Sequence, residues 1–129
     1  MSQQNREIVE KINNAFLAGS TEGFLEHCSE DVVWVMEGEK TTEGKSAIRE
    51  WMSQMEGSEP PKFSVKKMIA GGDSVACFGE MSMDQPPGAA GTYSYCDVYE
   101  FAGGKVAELR SFVVKHKTDG ESGEQAAVL

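Results

Sequence analysis

The chain has 129 residues, enough for one domain with a single core and a small cavity but too few for two independent domains. Twelve basic and twenty-one acidic residues give a net charge of −9, which repels phosphate backbones and anionic membrane surfaces. Neither nucleic acid nor a membrane is therefore an expected partner.

The start of the chain and its cysteines predict a cytoplasmic protein with reduced thiols. Residues 1–6 contain no apolar signal core. Cys28, Cys77 and Cys96 are odd in number and lack CxxC spacing, which argues against a disulfide framework and a structural zinc site. Two distant histidines and the lack of a glycine-rich loop before a helix give no sign of a metal or a phosphate site. We expect no cofactor.

The first half of the chain has helical periodicity on either side of one strand. Apolar residues recur every three or four positions over residues 4–18, which predicts an amphipathic helix. After two hydroxyl residues that can cap it, a second, short helix is predicted over residues 24–28. The β-branched and aromatic segment 32–36 predicts a buried strand. Residues 37–44 are either a polar loop or a ragged pair of strands, and an apolar stripe predicts a third helix over residues 45–55.

From Phe63 onward the apolar period changes to two, which is typical of strands. This alternation places Phe63, Val65 and Lys67 on one face of the first of these strands. A glycine-rich turn at residues 71–74 then leads into a returning strand over residues 75–83.

Two further strands, residues 92–101 and 106–116, are joined by an Ala-Gly-Gly-Lys turn. Three helices followed by four long strands predict an α+β fold, with the helices on one face of a curved antiparallel sheet. We expect a single domain over residues 1–117 and a mobile C-terminal tail over residues 118–129, where the pattern is lost.

The strand over residues 92–101 carries a carboxylate inside an aromatic row. Because successive side chains of a strand alternate between its faces, five residues share one face. They are Tyr93, Tyr95, Asp97, Tyr99 and Phe101. A carboxylate in such a row is either an exposed edge residue or a buried functional acid.

Four segments carry a resemblance to a known family: Phe16-Leu-Ala-Gly-Ser, Asp31-Val-Val-Trp, Glu43-Gly-Lys-Ser-Ala-Ile-Arg-Glu-Trp51, and Asp97-Val-Tyr-Glu-Phe101 continuing through Gly104-Lys-Val. They resemble the nuclear transport factor 2-like superfamily, in particular its SnoaL-like and ketosteroid-isomerase-like branch. The resemblance implies a cone-shaped sheet that encloses a pocket together with three helices of the N-terminal half. It also implies a small hydrophobic ligand and a homodimer.

Ketosteroid isomerases use three groups, and the resemblance carries one of them into this chain. Their late-strand aspartate, which is kept protonated by an apolar site, falls on Asp97. Their tyrosine position falls near Ile12, which cannot donate a hydrogen bond. Their base position falls on Met36, with Glu37 one residue later. We therefore do not expect ketosteroid isomerase activity by the family mechanism.

Two carboxylates are candidate catalytic residues. Asp97 would be the acid or the oxyanion partner, because a carboxyl in the concave wall loses hydration and its pKa rises. The alternative is an aspartate bound by a neighbouring side chain or facing solvent at a dimer surface. Glu37 is a candidate base where the first strand ends, and the alternative is a solvated loop carboxylate.

Aromatic and flexible apolar residues, with one histidine, are candidates to hold a substrate. They are Trp34, Met36, Trp51, Met55, Tyr93, Tyr95, Tyr99 and His116. For the tyrosines the alternative is sheet packing, for the tryptophans and methionines it is the core, and for the histidine it is a surface position.

Two functions follow from these residues and from the resemblance. The first is a cofactor-independent acid/base enzyme, of isomerase, cyclase or hydratase type, that acts on a small hydrophobic substrate. The second is a non-catalytic module that binds a small ligand in the pocket or forms a dimer through the convex face of the sheet.

Overall fold

The fold was described from a computed structural model, which defines residues 2–54, 62–83 and 91–117. The helices are α1 (Ser2–Leu17), α2 (Thr21–Leu25) and α3 (Lys45–Ser53). The strands are β1 (Cys28–Met36), β2 (Lys40–Glu43), β3 (Lys62–Gly71), β4 (Ser74–Met83), β5 (Gly91–Ala102) and β6 (Lys105–Lys115). The predicted tail, residues 118–129, lies outside the described residues.

The helices form where the apolar spacing predicts them. In α1, Val9 and Ile12 are fully buried, as expected for one face of an amphipathic helix. Gly19, with φ of 72°, follows its end, and the Ser20 hydroxyl then caps α2 by accepting from the backbone N–H of Gly23 at 3.0 Å. The second helix begins and ends three residues earlier than expected, and Cys28 already belongs to β1. No described helix has the length and apolar character needed to cross a membrane.

The six strands form one sheet in the order β2-β1-β6-β5-β4-β3. Both predicted hairpins, β3–β4 and β5–β6, are present, and β4 also pairs with β5 in an antiparallel manner. The sheet is mixed rather than purely antiparallel, because β1 lies parallel to β6. Those two strands are joined by most of the chain, so no hairpin dictates their relative direction. The polar segment after β1 contributes the short strand β2.

A bulge in β3 changes the expected alternation. The register between β3 and β4 shifts between Val65 and Lys67, so that Met68, rather than Lys67, faces the same side as Phe63. The reason lies on the neighbouring strand at Gly79. A Cβ at that position would lie 1.9 Å from the carbonyl oxygen of Ser64, so only glycine leaves room for the bulged backbone.

The helices cover one end of the concave face more completely than the other. At the covered end, Val75, Tyr99 and Leu109 are fully buried beneath α1 and α2. The other end, here called the open end, consists of inward-facing residues that remain partly accessible. They are Trp34, Met36, Phe63, Met81 and Val113. The predicted α+β fold is thus confirmed, with three helices against one face of a curved sheet that does not close on itself.

Candidate functional site

Asp97 occupies the middle of the concave face, between the covered end and the open end. It lies directly opposite Cys77 on β4 and opposite Ser111 on β6. The predicted row of β5 is present, since Tyr93, Tyr95, Tyr99 and Phe101 are all buried on the same side. The side chain of Asp97 is half-buried, so solvent still reaches part of it.

The environment of Asp97 shifts its acidity toward neutral pH. Burial removes water from the carboxylate and raises its pKa from 3.8 to about 6, while a hydrogen bond from Ser111 acts in the opposite direction. Both the acid and the carboxylate are therefore populated near neutral pH. A group with such a pKa can donate a proton and accept one, which is what general acid/base catalysis requires.

Ser111 connects Asp97 to the first strand. Its hydroxyl is buried and accepts a hydrogen bond from the indole Nε1 of Trp34 at 3.0 Å. Met36, the register partner of Ser111 on β1, lies beside it on the same face. Ser111 was not among the site residues predicted from the sequence. The available signal was its position as the polar member of an apolar inward row on β6, between Leu109 and Val113.

A second buried polar group lies on the other side of Asp97. The Asn13 amide, from α1, donates to the Cys77 sulfur at 3.6 Å. The Tyr95 hydroxyl interacts with the same thiol and donates to the Ser64 carbonyl oxygen at 3.5 Å. That carbonyl faces inward because of the β3 bulge. Burial raises the pKa of both Cys77 and Tyr95, so both are neutral near pH 7. Sequence reasoning also missed Asn13 and Cys77 as neighbours of the acid.

Tyr99 lies deeper in the covered end. It is fully buried, and its hydroxyl has no hydrogen-bond partner among the residues that the structure describes. Burial raises its pKa well above the ordinary value, so the phenol stays protonated. A buried donor without a partner costs about 1–3 kcal/mol, which the surrounding packing has to offset.

The SnoaL-like domain matches residues 9–109, which is most of the chain. The protein belongs to the SnoaL-like family. This family lies within the nuclear transport factor 2-like superfamily, as the sequence resemblance predicted, and the order of helices and strands agrees with it. No curated protein matches the sequence significantly.

Several solved structures share the fold of this SnoaL-like protein at low sequence identity. An LEH-like epoxide hydrolase of M. tuberculosis has a TM-score of 0.76 and 16% identity, over 87% of this chain and 84% of its own. A candidate ketosteroid isomerase of Kribbella flavida has a TM-score of 0.76 and 16% identity, over 99% of this chain and 90% of its own. A candidate SnoaL-like polyketide cyclase of Jannaschia sp. CCS1 has a TM-score of 0.75 and 18% identity, over 87% of this chain and 86% of its own. These similarities show the fold alone.

Two positions at which the isomerases carry functional groups are apolar in this SnoaL-like protein. Ile12 is fully buried in the core, and Met36 faces inward beside Ser111. Glu37, one residue later, does not replace Met36. It lies on the opposite face of the sheet, where it is half-exposed and forms an ion pair with Arg110. The structure therefore does not bring Glu37 and Asp97 together, because a shift of one residue along a strand reverses the side-chain direction.

The remaining predicted substrate-binding residues have different locations. Trp51, on α3, packs edge-on against Trp34 with ring centroids 5.2 Å apart and carries the Lys40 ammonium 4.8 Å from its centroid. The structure does not place His116 near Asp97. The imidazole Nε2 lies 2.6 Å from the Ser94 hydroxyl on the convex face. Met55 lies outside the described residues.

Grooves on the outer surface do not contain the candidate acid. One is lined by the beginning of α1 and the β5–β6 turn, including Ile8 and Phe101. Another lies between α2 and α3 and includes Glu22 and Arg49, which form a salt bridge. Asp97 belongs to neither, because it faces the space between the sheet and the helices. Within the described ranges, no three His, Cys, Asp or Glu side chains cluster in a way that could hold a metal ion.

Proposed function

We propose that this SnoaL-like protein is a cofactor-independent enzyme that transfers a proton on a small hydrophobic substrate, with Asp97 as its acid and base. The observation that carries the proposal is the position of Asp97 at the centre of the concave face, where burial raises its pKa to about 6. Strongly shifted acids of this kind are concentrated at functional sites.

The residues around Asp97 indicate the kind of molecule that would bind. Trp34 and Met36 lie on one side of the open end, and Phe63 and Met81 lie on the other. Apolar walls with a few polar groups are typical of sites for small hydrophobic ligands. Near Asp97 the polar groups are the Ser111 hydroxyl, the Cys77 thiol and the Tyr95 hydroxyl, none of which is charged. We therefore propose a neutral, largely apolar substrate that carries one polar group.

The number of acids on the concave face favours a certain class of reaction. On β4, β5 and β6, Asp97 is the one described carboxylate that shares a face of the sheet with the buried residues Val75, Tyr99 and Leu109. A single carboxyl can remove a proton next to a carbonyl group and return the same proton to another carbon or to oxygen. This balance suits an isomerisation or a cyclisation better than a hydration, in which a second group commonly activates water.

The proposal can be tested by following proton exchange. Apolar ketones would be incubated with the protein in D2O, and deuterium uptake next to the carbonyl would be measured by NMR. We expect uptake with the wild type and a loss of about 10²–10⁴-fold in Asp97→Asn, the range that general acid/base groups contribute. Asp31→Asn, the same substitution at an exposed position, is the matched control. Undiminished exchange in Asp97→Asn would refute the proposal.

A second candidate function is a non-catalytic module that binds a ligand or a second copy of the chain. The observation that favours it is an apolar patch on the convex face, where Phe78, Cys96 and Phe112 are adjacent across three strands. Phe112 is 42% exposed, and Val114 nearby is 65% exposed. Exposed apolar patches of this kind commonly mark an interface. A homodimer through this patch is compatible with either function, and ligand binding without proton exchange would favour the module.

A further inference from the structure

The Ser111 hydroxyl lies between two side chains from different strands. In the sheet register it is opposite Asp97 on β5 and opposite Met36 on β1. Trp34, two residues before Met36 and on the same face, reaches diagonally across to the Ser111 oxygen with its indole Nε1 at 3.0 Å. Ser111 is only 5% exposed, so water does not compete freely for this hydroxyl.

The chemistry of the three groups fixes the direction of the hydrogen bonds. An indole N–H can donate but cannot accept, so the Ser111 oxygen must be the acceptor of the bond from Trp34. A serine hydroxyl has one hydrogen, and Ser111 lies directly opposite Asp97 in the β5–β6 register, where its hydroxyl lowers the pKa of that carboxyl. The Ser111 hydrogen is therefore available for donation to Asp97, which gives a chain of donors from Trp34 to Ser111 to Asp97.

We propose that Trp34 and Ser111 are positioning residues that hold the Asp97 carboxyl in one orientation. One carboxyl oxygen is bound by Ser111, and the other carries the exchangeable proton. This inference rests on the proposed function of Asp97 as the acid and base. The Trp34 indole orients the hydroxyl hydrogen and polarises it, because a donor that itself accepts a hydrogen bond donates more strongly.

The titration of Asp97 can be measured without interference from its neighbours. The titratable groups that face it are Cys77 on β4 and Tyr95 and Tyr99 on β5, and Cys96 lies behind it. Burial raises the pKa of all four above the ordinary value, so none of them changes charge between pH 4 and 8. From α1, the Asn13 amide next to Cys77 is neutral at every pH.

The test is the pKa of Asp97 in the ligand-free, full-length protein, measured from the carboxyl ¹³C shift during a pH titration. In Ser111→Ala the carboxylate loses a hydrogen bond, so we expect its pKa to rise by about one unit. In Trp34→Phe the Ser111 hydroxyl is no longer oriented, so we expect a rise of roughly half a unit. Ser111→Thr keeps the hydroxyl and should restore the wild-type value.

Trp51→Phe is the matched control, because Trp51 belongs to the same aromatic cluster but does not bond Ser111. Its Asp97 pKa should equal that of the wild type. An unchanged Asp97 pKa in Trp34→Phe, or an equal shift of that pKa in Trp51→Phe, would overturn the proposal. If Ser111→Ala does not fold, Trp34→Phe alone still tests it. The Asp97 pKa is measured without a substrate. If the variants shift this pKa as expected but the wild type exchanges no substrate proton in D2O, the positioning role stands and only the proposed function is refuted.

Discussion

Replacing Asp97 with asparagine should stabilise the protein at neutral pH and leave its stability unchanged in acid. The folded state keeps its Asp97 proton up to a pH of about 6, whereas the ordinary pKa of the unfolded chain is 3.8. Well below pH 3.8 both states are protonated, and the buried group is neutral. As the pH rises toward 6, the unfolded state ionises first and the folded state loses stability relative to it. Asparagine remains neutral and does not incur this loss.

The size of the effect follows from the two pKa values. A difference of about two units corresponds to roughly 3 kcal/mol, at 1.36 kcal/mol for each unit. We expect about 2–3 kcal/mol of added stability in the variant at pH 7.5, because the half-buried carboxylate keeps some hydration. For a chain of 129 residues, each kcal/mol moves Tm by about 4 °C, so Tm should rise by about 8–12 °C.

Thermal unfolding followed by circular dichroism at pH 4.2 and pH 7.5 measures this effect. We expect a clear rise in Tm for Asp97→Asn at pH 7.5 and a much smaller rise at pH 4.2, which is close to the pKa of the unfolded aspartate. Asp31→Asn, at an exposed position, should change stability by less than about 0.5 kcal/mol at either pH. A lower Tm for Asp97→Asn at pH 7.5, or an equal difference at both pH values, would contradict the reasoning.

Three other predictions test the fold, the convex face and the thiols. Gly79→Ala should lower the free energy of unfolding by about 1–3 kcal/mol in a denaturant titration, because the added Cβ meets the backbone of β3. Gly71→Ala, where nothing lies within 4 Å of the added Cβ, should not, and equal losses in the two variants would argue against the bulge. Phe112→Ser should convert the proposed dimer to a monomer in sedimentation equilibrium, whereas Leu17→Ser, at an exposed apolar position elsewhere, should not. A monomeric wild-type protein would refute the proposed dimer. Cys28, whose pKa burial raises to about 12, should react with a disulfide reagent only after unfolding, and fast reaction of native Cys28 would contradict its position.

The parts of the fold that depend on local sequence could be predicted. Apolar spacing was sufficient for α1 and α3, because helix periodicity is set within each segment. Turn residues were sufficient for the β3–β4 and β5–β6 hairpins. The alternation of β5 placed Asp97 on the same face as Tyr95 and Tyr99, which the structure confirms.

The parts that depend on distant contacts could not be predicted. The parallel pairing of β1 with β6 joins segments far apart in the chain, and neither segment encodes the direction of the other. The β3 bulge depends on Gly79 of the next strand, so the expectation that Lys67 shares a face with Phe63 was wrong.

The immediate neighbours of the acid also come from distant contacts. Ser111 and Cys77 reach Asp97 only through cross-strand register, and Asn13 only through helix packing. The face of the sheet on which Glu37 lies changes if the strand register shifts by one residue, and the sequence alone did not determine that register.

The pKa of Asp97 in the wild-type protein, measured from the carboxyl ¹³C shift between pH 3 and 8, decides whether this residue can act as the acid and base. We predict a midpoint of about 6, because the effect of burial on the concave face outweighs that of the hydrogen bond from Ser111. A midpoint near the ordinary value of 3.8 would contradict it. Such a carboxyl would be fully ionised at neutral pH and could not supply the proton that the proposed reaction needs.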